Sequence, residues 1–411
     1  MSFLNRRNFL ATTAVSALAS QGLAATWNQW RGPSRNGMVD GDFAWPTKLE
    51  GRLREVWRED LQPSYSGPIV AEGKVFVTET VDKKNEVVKA FSLSDGEKLW
   101  EKSWEGSMSV PFFARSNGSW IRSTPAFADG KLLVGGIREV LVCLDAETGQ
   151  QIWANDCVEK HKSEVPSFGF VCSPLIEGDY AYVQAGGGLL KLELNTGNVV
   201  WRSLADGGGM FDSAFSSPVM SSLGGKKQLL VQTRKELVGV DPADGKRLWG
   251  VKIPAFRGMN ILPPTVYNET VFTSCYQGGS FCFNVNQTGD SWTVEKRWKN
   301  TVQGYMSSPL VFGDHVYLHL RNQRFTCMNL ATGKQKWSSR TYGKYWSTVT
   351  QGEHILALDE RGDLLLVEPS PEEFKLLDKT QVASNSWAHL AMVDDLILVR
   401  DLDALIVYRW A

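Results

Sequence analysis

No long run of like charges occurs in this chain. Its 411 residues hold 44 Lys and Arg against 45 Asp and Glu, a formal net charge of −1. Phosphate backbones are held by clustered Lys and Arg, so nucleic acid is not an expected partner. Histidine is scarce, with five in all. His315 and His319 stand four apart and would share one strand face, but no further ligand converges on them, so no metal is expected there. Asp206 and Asp212 flank Gly207-Gly-Gly209, yet no helix follows to turn its dipole on a phosphate. No Ser-His-Asp order and no paired-carboxylate spacing rises above chance, so no catalytic residue is nominated. The six cysteines include no adjacent pair. Cys143 and Cys327 each precede a turn glycine by six positions, where other repeats carry Ala90 and Gly239, and read as small core residues. Cys275 and Cys282 flank Gln277-Gly278-Gly279-Ser280. On a two-residue hairpin they would face each other, and a bridge between them stays open as an alternative in an exported chain.

Long apolar runs are also missing, except near the start. Arg6-Arg7-Asn8-Phe9-Leu10 opens an apolar run to Ala19, followed by Gly22-Leu23-Ala24. A basic region, a short apolar region and small residues are the parts of an export signal. The run is too short to span a bilayer comfortably, so residues 1–24 are expected to be cleaved, leaving no integral membrane segment. The Arg pair before Phe-Leu is of the twin-arginine type, which puts the mature protein in the periplasm or cell envelope.

What the chain has in quantity is tryptophan and glycine, 16 and 38 residues. Cys143-Leu-Asp-Ala-Glu-Thr-Gly149-Gln-Gln-Ile-Trp153 reads as a strand, a tight turn and a return strand. Glycine enters φ > 0 without a Cβ clash, and the Asp and Thr side chains can bond nearby backbone N–H groups. The same pattern recurs at Gly96…Trp100, Gly197…Trp201, Gly245…Trp249 and Gly333…Trp337. A sixth copy at Gly289 has a longer turn and its tryptophan at Trp298. Successive turn glycines lie 53, 48, 48, 44 and 44 residues apart, the period of a four-stranded propeller blade.

A second element fixes the blade starts. Two small residues and a proline, followed by an apolar strand, occur at Pro68, Pro125, Pro174, Pro218, Pro264 and Pro309, with degenerate copies at Thr348 and Leu390. Small residues and proline suit inner strands that crowd an axis and keep one edge free. Eight starts result. The last unit reaches the C-terminus with three strands, while Arg54–Asp60 reads as a lone outer strand that would complete it and remove an open edge. The expected architecture is an all-β, eight-bladed propeller over residues 54–411, closed by that N-terminal strand. Residues 25–53 form a segment packed on it, and the molecule is expected to be a monomer.

The Asp-x-x-Thr-Gly-x-x-x-Trp units resemble the repeat of the pyrroloquinoline-quinone (PQQ) propeller family, which includes quinoprotein dehydrogenases and the assembly lipoprotein BamB. The resemblance covers nearly the whole mature chain. The Trp27-Asn-Gln-Trp30-Arg31-Gly32-Pro33 opening is similar to that of exported PQQ-like propellers of planctomycete-type bacteria. The resemblance implies the eight-bladed fold and, for its enzyme members, PQQ with calcium. The vicinal cysteines and the Cys-x-x-Cys-His haem site of quinoprotein alcohol dehydrogenases are absent. So is a cysteine directly after the signal, the first being Cys143.

In such a ring, ligands meet the channel mouth. The positions three before each aligned proline are Tyr65, Arg122, Val171, Phe215, Ile261, Met306, Tyr345 and Trp387, and the loops feeding them bring Arg257 and Lys344. His389 replaces the usual small residue at a blade start and could titrate near neutral pH. Arg122, Arg257, Lys344, Tyr65, Trp387, His389 and Phe215 are therefore the candidate binding residues for a planar anionic ligand or an aromatic peptide side chain. Two readings stand at this point. One is a non-catalytic binding or scaffold propeller of the cell envelope with a protein or peptide partner. The other is a PQQ-dependent oxidoreductase with its cofactor at the mouth. Aromatics that merely plug the shaft are the plain alternative to both.

Overall fold

The structure is a computed structural model that describes residues 26–41, 43–206 and 214–410. The expected signal peptide and the glycine-rich loop between Asp206 and Ala214 lie outside the described residues. The chain forms eight four-stranded antiparallel sheets. Blades one to seven span residues 69–105, 126–156, 175–203, 219–252, 265–300, 310–341 and 346–381, each built from four consecutive strands. Blade eight takes three strands from residues 391–410, and its outer strand is Leu53–Asp60. That strand pairs antiparallel with Ala404–Trp410, Trp57 lying opposite Val407, so the two ends of the chain close the ring.

The turn glycines and tryptophans work across blades, not within them. Gly149 sits at φ 71°, and a Cβ there would lie 2.6 Å from the Trp100 ring of the preceding blade. Five indoles lie flat on the next blade's turn and donate their N–H to a carbonyl three residues before the glycine, and Trp337 donates to Ser370 O on a turn without glycine. Trp57 donates to Leu93 O at 2.9 Å, Trp100 to Ala146 O at 3.1 Å, Trp153 to Leu194 O at 2.8 Å and Trp298 to Leu330 O at 2.7 Å. Any side chain on the glycine would lift the ring off and break that bond. Blade four departs from the rule. Its Trp249 donates to Gln228 Oε1 in the same blade, because the neighbouring Gly289 belongs to a longer hairpin and has nothing within reach.

The core follows from this arrangement. Neighbouring blades share apolar layers, such as Leu133, Cys143, Trp153, Ala181 and Leu192 between blades two and three. The largest layer lies at the closure, where Trp27, Val39, Trp45 and Leu49 of the N-terminal segment join blades seven, eight and one. The small residues of the blade starts have a polar purpose. The Gly67 N–H donates to Thr124 Oγ1, the Thr124 N–H to Ser173 Oγ and the Ser173 N–H to Ser217 Oγ, at 3.0–3.1 Å, a belt running from blade to blade around the shaft. The inner strands have no fifth strand to satisfy these groups, and hydroxyls of the next blade do so instead.

One local expectation fails. Cys275 pairs with Gly279 and Cys282 with Phe272 across their hairpin, and both are free thiols. The turn is Tyr276-Gln277-Gly278 and not Gly278-Gly279, which shifts the register and sets the two cysteines at different levels.

Candidate functional site

Residues 26–41 run beneath the ring as a strap. Trp27 pairs with Val70 of blade one, and Asn28 exchanges hydrogen bonds with Phe127 of blade two. Arg35 donates to Pro174 O at 2.6 Å and Ser173 O at 3.0 Å of blade three, and Arg31 to Pro309 O at 3.1 Å of blade six. The Val39 N–H reaches Thr350 O of blade seven. Carbonyls at the free edges of the inner strands thus receive their donors from two buried guanidinium groups. Burial lowers Arg31 to about 9, with Arg35 adding to the effect, and lowers Arg35 to about 10. Between them Trp30 points up the shaft, with both arginines over its ring at 5.6 and 5.2 Å.

Above Trp30 lies a cavity of about 200 Å³. Its lower wall is the hydroxyl belt, including Thr124, Ser173 and Ser217, together with His389; its upper wall is the row three positions before each blade-start proline. Seven of those eight positions line it: Tyr65, Arg122, Val171, Phe215, Ile261, Met306 and Trp387. The eighth, Tyr345, packs against Trp387 with ring centres 4.2 Å apart. Loops between blades add Val110, Ala114, Phe168, Met259 and Tyr305. Of the seven expected site residues, Tyr65, Arg122, Phe215, Trp387 and His389 meet at this cavity. Arg257 does not: it sits in a short 3-10 turn at φ 50° and lies over the Phe256 ring at 5.0 Å. Lys344 is exposed on the loop before blade seven, also outside the lining. Trp30, Phe168 and Tyr305 were not nominated. The conspicuous Trp-Arg-Gly-Pro opening was the available signal for Trp30, and the aromatic loops were the signal for the other two.

The charges at the cavity are of one sign. Arg122 lies over the Tyr65 ring at 5.7 Å and donates to Trp120 O and Gly118 O at 3.2 and 3.1 Å. Burial lowers its guanidinium to about 10, with Tyr65 acting in the opposite sense. No Asp or Glu is among the described residues of the lining. His389 is half-buried, edge-on to Trp30 at 5.4 Å. Burial and then Arg31 lower it to about 3, so it is a neutral ring at neutral pH and not the titrating group expected. Thr124, Ser173 and Ser217 each accept a backbone N–H from a neighbouring blade.

The rings continue from blade to blade around the mouth. Phe112, Phe113, Phe168 and Phe215 form one arc, with centres 5.6–6.2 Å apart. Phe256, Tyr276, Tyr305, Tyr345, Trp387 and Tyr65 form the other, at 4.2–6.1 Å. Arg321 lies over Tyr276 at 4.7 Å. This arrangement can hold a ring against flat apolar faces and an anion against Arg122. Calcium is another matter, because the described lining has no carboxylate to bind it and no metal-binding group of three or more His, Cys, Asp or Glu occurs among the described residues. Nor is any helix of the described residues long and apolar enough to cross a membrane.

Among solved structures, the chain resembles BamB from Moraxella catarrhalis (TM-score 0.62, 15% identity, 87% of this chain and 97% of that one). It also resembles the quinohemoprotein alcohol dehydrogenase from Comamonas testosteroni (TM-score 0.64, 13% identity, 95% and 81%). At these identities the likeness is one of fold. In sequence, the outer membrane protein assembly factor BamB of Shewanella oneidensis is 21% identical over 337 residues, 82% of this chain and 71% of that protein. Its counterpart in Yersinia pestis is 23% identical over 326 residues, 77% and 73%. Residues 38–117 and 83–339 match the PQQ-repeat family described as outer membrane protein assembly factor BamB. With eight PQQ-type blades and a match over more than half its length, the chain belongs to that family.

Proposed function

We propose that this protein is a non-catalytic binding propeller of the bacterial cell envelope, which holds a protein or peptide partner at its mouth. The observation that carries this reading is the aromatic rim above a shaft closed from below. Phe112 is 80% exposed and Phe113 54% on a loop at that rim, more apolar surface than a loop tip needs for its own folding. The polar groups of the shaft support it: its hydroxyls are engaged in joining blades, and its histidine is neutral. Family membership among assembly factors points the same way. The chain reaches the envelope as a folded monomer through the twin-arginine route, and residues 1–24 are removed after Ala24.

The test is chemical cross-linking of the mature protein in an envelope fraction, alongside a Phe112→Ser/Phe113→Ser variant. Because both rings are exposed, the variant should melt like wild type and lose the cross-linked partner. Equal capture by both would refute the reading. The oxidoreductase alternative has cations and aromatic faces in its favour, as a planar polyacid would need, but PQQ with calcium does not fit a described lining without carboxylates. Addition of PQQ and calcium is expected to leave absorbance and melting temperature unchanged.

A further inference from the structure

The cavity below the mouth is sized for one ring. At about 200 Å³ it slightly exceeds the ~150 Å³ engineered apolar cavity that takes up benzene. Trp30 forms its floor, and Tyr65 and Trp387, stacked at 4.8 Å, form one wall. Its charged group is Arg122, which has no carboxylate partner among the described residues, while two of its nitrogens are fixed on its own loop. A cation held at the lip of an apolar cavity selects a ring that carries a negative charge beside it. Outside the cavity, Phe112, Phe113 and Phe256 are exposed at 80, 54 and 41%, which a small molecule lodged in the shaft would leave uncovered. An extended chain crossing the mouth would cover them.

Building on the binding reading above, we propose that the shaft cavity receives an aromatic side chain from an extended acidic segment of a partner polypeptide, with Arg122 pairing to a carboxylate next to that ring. The rim aromatics then pack against the flanking residues of the segment. Recognition is of one anchor and its neighbouring charge, so it tolerates different sequences on either side.

The probe is a fluorescein-labelled, amidated pentapeptide with one Phe between two Glu, followed by fluorescence polarisation on the mature protein. Peptides with Lys for both Glu, or Ala for Phe, and free phenylacetate serve as comparisons. The Glu peptide should bind about tenfold tighter than the Lys peptide, the value of one well-placed charge pair, and the Ala peptide should not bind. Arg122→Gln should bring the Glu and Lys peptides to equal affinity. Val171→Trp, which fills the cavity from its wall, should abolish binding of both with an unchanged melting temperature. Indifference to Phe or to the sign of charge overturns the proposal, and so does phenylacetate binding as tightly as the Glu peptide, which would make the ligand a small molecule and not a chain. If Val171→Trp still captures the cross-linked partner that the Phe112→Ser/Phe113→Ser variant loses, the cavity is not the anchor site while the binding reading stands.

Discussion

Each tryptophan clasp joins a packing term to a hydrogen bond, and Trp153, one of the two buried ones, does both across blades two and three. Trp153→Ala removes the ring from the turn of Gly197 and leaves Leu194 O with only the weak Cys143 thiol as donor. The expected cost is about 3–5 kcal/mol in denaturant unfolding, the range for large buried side chains. Glu86 offers a second test at this scale. One carboxylate oxygen accepts the Ile137 N–H of the next blade at 2.6 Å and the other the Trp104 indole N–H at 2.9 Å. Burial outweighs both bonds and raises its pKa to about 7. A raised carboxyl favours folding most when protonated, so its contribution is full below about 4.5 and is lost as pH rises through about 7. His319 and His389, both lowered to about 3 by burial, act in the opposite sense as pH falls, so the net pH profile mixes the two. The difference between wild type and Glu86→Gln isolates the carboxyl. That difference should be larger at pH 5 than at pH 8 by urea titration, and a difference independent of pH would contradict the assignment.

Among elements, the strap and the segment after it replace what the repeat omits. Blade seven has Asp378 at the outer-strand position where other blades carry Trp, so none of its indoles spans the seam with blade eight. There the chain before the closing strand intervenes. The Leu49 and Glu50 N–H groups donate to Asp378 of blade seven at 2.7 and 3.0 Å, Trp45 packs on Trp410 with ring centres 5.5 Å apart, and the Trp410 indole donates to Lys48 O. Asp378→Ala should therefore loosen residues 45–50 before the blades themselves. Faster amide exchange at Leu49 and Glu50 is expected, with a global loss of about 1–2 kcal/mol. Unchanged exchange there would mean that the apolar contacts alone hold the seam.

At the scale of the whole molecule, closure governs. Without Leu53–Asp60 the Ala404–Trp410 strand becomes an open edge and the apolar layer at the seam loses Trp57. A chain truncated before Leu61 is expected to self-associate in light scattering more than the full chain does, since unpaired edges template pairing. The count of blades, the order of strands and the closure by Arg54–Asp60 were legible in the sequence, because each blade repeats a turn glycine, a tryptophan and a small-residue start at nearly fixed spacing. The same alignment placed Tyr65, Arg122, Phe215 and Trp387 on one level of the shaft, since residues equivalent by repeat are equivalent by rotation. Arg257 and Lys344 fell outside the lining because the loops between blades vary in length and carry no repeat register. Cys275 and Cys282 were set apart because the turn forms at Tyr276-Gln277-Gly278 and not at the glycine pair, which spacing alone could not reveal. Trp30 shows where sequence reading ends. It belongs to a segment without a repeat, and its place under the shaft depends on Arg31 and Arg35 reaching carbonyls more than a hundred residues away. Periodic local chemistry thus determined the ring, because every blade meets the same neighbours. Only the folded chain decided that the strap closes the shaft at one end, because that contact is made once and nothing in the sequence repeats it.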